Sequence, residues 1–60
     1  MQIVVFDYQS LEDALFKSEE IELWLNDHKK ADQEFTVHIY IGEDFYLVKA
    51  HVWESQKGIL

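Results

Sequence analysis

Two histidines, His38 and His51, fall within the stretch EFTVHIYIGEDFYLVKAHVW, and Glu34 shares their side of the hairpin that this stretch implies. Two imidazoles and a carboxylate are a ligand set that suits zinc. The spacing matches no metal motif, however. The third ligand would have to come from a strand end, and neither hairpin register sets the two rings directly opposite. Partly exposed sheet histidines are the simpler reading, and neither a metal nor another cofactor is expected. Acid and base chemistry could use Glu12-Asp13, Glu19-Glu20 or Glu43-Asp44, but it needs a cleft that drives two pKa values apart. Adjacent helix residues do not face each other, and Glu43-Asp44 falls in a turn. Ser10, Ser18 and Ser55 have no nucleophile elbow around them, and Gly42 and Gly58 are too few for a phosphate-binding loop. With no cysteine in the chain, thiolate zinc sites, thiol nucleophiles and disulfides are excluded together. The chain is expected not to be an enzyme.

The elements that would carry these residues form one domain spanning 1–60. Sixty residues bury only about 60% of the surface of the unfolded chain, so a fold of this size gains from a partner or from self-association. QIVVFDY, residues 2–8, is β-branched and aromatic on both parities and predicts a strand with neighbours on both faces. Ser10 is placed as an N-cap before a helix over 11–28, with Glu12 and Asp13 in the first turn where carboxylates favour the dipole. Leu11, Ala14, Leu15, Ser18, Ile21 and Leu25 make its apolar stripe, Phe16 and Leu23 lie off it and Trp24 borders it. Ser18 before Glu19-Glu20 could instead restart the helix; a single helix is preferred, with Lys29 and Lys30 complementing its C-terminus. A hairpin over 35–53 follows, turning through Gly42-Glu43 or through a four-residue loop, Gly42 to Phe45.

Both turns give one register of faces. Phe35, Val37, Ile39 and Ile41 share a side with Tyr46, Val48, Ala50 and Val52, and this side is expected to be the core under the helix. The other side carries Thr36, His38, Tyr40, Phe45, Leu47, Lys49, His51 and Trp53. One helix cannot cover both sides, and the tail ESQKGIL is too short to close the second. A face with Tyr40, Phe45, Leu47 and Trp53 is then a binding surface, made up of His38, Tyr40, Phe45, Leu47, His51 and Trp53. The fold class is α+β, strand–helix–strand–strand: a three-stranded sheet with the helix on one face. It is antiparallel with the third strand central if the first pairs with the third, which the apolar FYLVKAHVW favours.

The balance of charge decides among partners. Twelve acids against five lysines, with no arginine, give −7, which disfavours a phosphate backbone as ligand because Lys and Arg hold phosphates. Glu12, Asp13, Glu19, Glu20, Glu22 and Asp27 against Lys17 give the helix −5, a patch that attracts a basic protein surface. No run is apolar and long enough for a membrane span, and MQIVVFDYQS lacks the basic start of a signal peptide; a cytoplasmic chain is expected. Together these features predict a small acidic interaction protein, a homodimer that modulates or inhibits another protein with a basic surface. A nucleic-acid-acting enzyme of a host is such a target, and phage and mobile-element accessory proteins are of this size and charge. A structural homodimer without inhibitory activity is the alternative. Base stacking on the sheet aromatics by a single-stranded nucleic acid is a second one, weakened by Lys49 being the lone cation of that face.

Overall fold

A computed structural model of the chain describes residues 2–55. Apolar side chains on both parities draw three segments into one sheet, and the intervening 3.6-residue pattern supplies its cover. The order is β1 (Gln2–Tyr8), α1 (Leu11–His28), β2 (Gln33–Ile41) and β3 (Tyr46–Glu54). The strands lie in the order β1-β3-β2, antiparallel throughout, so the strand richest in apolar residues on both parities is the central one, as the sequence predicts. The tail beyond Ser55 lies outside the described residues.

Register fixes the two faces. Phe35 opposes Val52, Val37 opposes Ala50 and Ile39 opposes Val48, while Val4 opposes Ala50 and Phe6 opposes Val48 on the other flank. Ile41 and Tyr46 close the hairpin, leaving the four-residue loop rather than the two-residue turn. The Gly42 N–H donates to the Phe45 carbonyl at 2.9 Å, and the Phe45 ring folds back over Gly42, where any Cβ would run into it.

The helix begins at the expected place by a different device. Ser10 has the extended backbone of an N-cap, but its hydroxyl makes no capping bond; its carbonyl accepts from the Ala14 N–H at 3.1 Å. There is no restart at Ser18, whose hydroxyl donates to the Leu15 carbonyl at 2.9 Å, a bond within the helix's own backbone. Lys29 ends the helix, its N–H reaching the Leu25 carbonyl at 2.8 Å and its ammonium the Gln33 carbonyl at 3.1 Å. The turn that follows is closed twice over between Lys30 and Gln33, each N–H donating to the other residue at 3.0 Å.

The core is smaller than the two apolar faces suggest. Ala14 and Val48 are wholly buried and Ala50 nearly so, whereas Ile21, Leu25, Phe35, Val37 and Ile39 are half-buried and Leu11, Leu15 and Ile41 are exposed. The reason is geometric. A helix is about 10 Å across and strands lie about 4.8 Å apart, so one helix shields little more than two strands. This one packs over β2 and β3 and least over β1. Ala14 is the one helix residue that is wholly buried, and its small side chain lets the helix lie close to the sheet. The molecule is accordingly long and thin, 46 × 20 × 11 Å, with a radius of gyration of 13.3 Å against about 10 Å for a compact chain of this length.

Two substitutions test this seat. Val48→Ala, which removes buried methyls, is expected to cost about 2 kcal/mol in urea denaturation, and Ala14→Leu about 1–3 kcal/mol by prising the helix off the sheet. Leu25→Ala costs less than Val48→Ala because Leu25 is only partly covered; the reverse order would place the helix nearer β1.

Candidate interaction surfaces

The side of the sheet away from α1 holds five of the six residues expected to bind there. His38 and Tyr40 stand on β2, and Leu47, His51 and Trp53 on β3. Phe45, the sixth, lies in the loop before β3, opposite Gly42, whose N–H donates to its carbonyl, and its ring lies where a Cβ on Gly42 would stand. β1 adds Ile3 and Val5, about half exposed, which flank His51 and Lys49. The sequence carried this signal in the opposite parity of QIVVFDY, but their side could be assigned only once the β1 register was known.

Side chains along each strand of this face touch as rings. His51 and Trp53 lie 5.0 Å apart at 49°, and His38 and Tyr40 6.3 Å apart. His38 opposes Lys49 and His51 opposes Thr36, so the two histidines are diagonal neighbours and one of them faces a cation. Among the described residues no group of three or more histidine, aspartate and glutamate side chains could hold a metal ion. Among the described residues the His51 Nε2 is shut off from solvent and has no hydrogen-bond partner, and a buried polar atom left so weakens the fold.

The outer side of α1 is a second surface. Glu12, Asp13, Glu19, Glu20, Glu22 and Asp27 are all exposed, as the sequence predicts. Between them stand Phe16 and Leu23, each 71% exposed. Seven residues apart, they project within about 20° of each other and opposite buried Ala14. Glu12 and Glu19 border this apolar line on one side and Asp27 and Glu20 on the other, while Glu22 lies lower on the flank. Sequence reasoning set Phe16 and Leu23 aside as departures from the stripe; their common spacing was the sign that they form a stripe of their own.

A third surface arises where the helix stops short of β1. A groove of about 460 Å³ runs between them, floored by Val4, Phe6 and Val52 and walled by Ile21, Trp24 and Leu25. The Trp24 ring stacks on His28 at 4.1 Å, and the His28 Nδ1 lies 2.9 Å from the Trp24 carbonyl; since a carbonyl only accepts, Nδ1 carries the proton. Lys17 spans the groove's end, its ammonium 4.7 Å above the Phe6 ring and 2.8 Å from Glu20. The hydrogen bond that the Lys17 ammonium donates to Glu20 holds the Lys17 pKa above that of an ordinary lysine.

His51→Phe is expected to raise stability by about 1 kcal/mol, because it removes a buried polar atom that lacks a partner and keeps a ring against Trp53. Thermal and urea denaturation measure it; a clear loss of stability would mean that the imidazole is hydrogen-bonded in solution.

These three surfaces are the candidate sites among the described residues. Comparison with protein-family models, with curated proteins and with solved structures finds no match for the chain.

Proposed function

We propose that the chain is a non-enzymatic protein-interaction module that self-associates and binds, by the outer face of α1, another protein whose surface is basic. One observation carries this reading: two large apolar side chains, Phe16 and Leu23, are held 71% exposed in the middle of an acidic field. Leaving them in water forgoes about 1.5–3 kcal/mol each relative to burial, an arrangement that makes sense on a surface meant to be covered. The acids around them name the chemistry of the cover. A shallow apolar pocket rimmed with Lys or Arg would take Phe16 and Leu23 as anchors and Glu12, Glu19, Glu20 and Asp27 as its electrostatic border.

Basic, apolar-floored grooves of this kind occur on enzymes that act on nucleic acids, where phosphates are the usual ligand. A carboxylate array that occupies such a groove inhibits by exclusion, so modulation or inhibition of a host enzyme of that class, as by phage and mobile-element accessory proteins, is the most specific form of the proposal. The same net charge of −7 opposes binding of DNA or RNA by this chain itself. An assembly dimer without inhibitory activity is the second reading, favoured by the exposed Ile3, Val5 and Tyr40 on the sheet. No helix among the described residues is long and apolar enough to cross a membrane.

The test compares capture by the unaltered chain with capture by Phe16→Ala/Leu23→Ala. Both side chains are exposed, so folding is retained, while a basic partner is bound more weakly by about tenfold or more. Glu19→Lys/Asp27→Lys slows association with that partner and flattens its salt dependence, since border charges act on the on-rate. Equal capture and equal on-rates for all three proteins would refute recognition by the helix.

A further inference from the structure

β1 is a sheet edge over which α1 lies least, and among the described residues β3 is its one strand neighbour. Its outward row of N–H and C=O groups is a template for another strand. Proteins blunt such edges with Lys, Pro, bulges or a covering element; β1 has no Lys, Pro or bulge, and among the described residues its one cover is the margin of α1. The chain contains no proline, all seven residues pair regularly with β3, and Asp7 is the strand's one charge. Ile3, Val4 and Val5 are exposed on alternating sides. The opposite edge, β2, is better guarded: α1 lies over its inner side, and Glu34, Thr36 and His38 make its outer side polar.

We infer that β1 pairs antiparallel with β1 of a second copy, Val5 opposite Val5, to give a continuous six-stranded sheet with both helices on one face. This deepens the self-association proposed above and rests on it. In that register Val4 meets Phe6 of the second copy, and each side of the sheet continues into the same side of its mate. The two grooves between β1 and α1 then become one, floored by Val4 and Phe6 from both copies and walled by Trp24 from each helix.

Charge selects a second copy for this edge. Two chains of −7 each repel wherever acids gather, which bars the outer face of α1. Around β1 the field is close to neutral, because Lys17 and Glu20 at the groove are paired with each other at 2.8 Å. A like-charged copy meets least repulsion here, whereas a basic protein is drawn to the helix. The area agrees. The chain exposes 4989 Å², where a compact monomer of 7.2 kDa exposes about 4,100 Å². The excess, about 900 Å², is spread over the whole molecule, Phe16, Leu23 and Ile41 included, and leaves room for an interface of standard size, in which each partner buries roughly 800 Å².

The experiment uses the full chain in sedimentation equilibrium, with circular dichroism to confirm that each variant folds. Val4→Lys, on the groove side of the edge, is expected to raise the dimer dissociation constant more than about tenfold by setting a charge at the seam, while Tyr40→Lys, on the open face of β2, leaves it within about twofold. Because the chain lacks cysteine, Val5→Cys reports alone: in the proposed register its two sulfurs meet, and mild oxidation gives a covalent dimer of unchanged circular dichroism, while Thr36→Cys gives none. A monomer at every concentration would overturn both the self-association and this inference. A dimer that survives Val4→Lys but dissociates with Tyr40→Lys would leave self-association standing, assign it to the open sheet face and overturn the pairing of β1.

Discussion

The seat of α1 over β2 and β3 is the constraint from which the rest of the molecule follows. Ala14 is the one side chain of the helix that is wholly dry, and its small size lets the helix axis lie low over the sheet. A single rod held there shields little more than two strands. The third strand is left outside, and with it come the groove beside Trp24, the exposed edge of β1 and the excess of surface. None of these is a separate elaboration. Each follows from covering three strands with one helix that is not centred on them.

How far the sequence revealed this depends on which kind of information each feature needs. Strand and helix bounds were legible because they rest on local pattern: QIVVFDY is β-branched and aromatic on both parities and is followed by the cap residue Ser10, and the turn at Gly42 separates two runs of fixed parity. The faces of the hairpin followed from that parity, and Phe35 does share a side with Val52, as Ile39 does with Val48. Lateral position is another matter. Nothing local distinguishes a helix seated over β3 from one seated over β1, so Ile21 and Leu25 were expected at the centre of a core of which they form the margin. Ser10 shows a smaller form of the same limit. Residue type identified the cap position, but the backbone carbonyl, common to every residue, makes the first bond.

The candidate surfaces divide along the same line. The acids of α1 were legible in full, since exposure of charge on the outer side of an amphipathic helix needs only the helical period. Phe16 and Leu23 were visible as residues out of pattern, and their meaning came with the structure, which puts them in the midst of those acids. Phe45 was placed by parity alone; its contact with Gly42, against which its ring closes in the turn, came with the structure. The two sides of the protein thus differ in character. The helix offers charge with an apolar centre, and the far side of the sheet offers rings and aliphatic groups around Lys49 with little net charge.

That the last strand in sequence is the middle strand in space also sets the order of folding. β2 and β3 are joined by four residues, so the loop entropy of forming the hairpin is small, and hairpins of this kind close in microseconds. β1 has no strand partner except β3, some forty residues away, and the helix rests on β2 and β3 together. A chain emerging from synthesis therefore carries β1 without a partner until β3 has been made, and the seat of α1 is completed only by the hairpin. The strand that docks last on this route, β1, is also the one held by a single neighbour and least covered by the helix, so it is the first to leave when the native state opens locally.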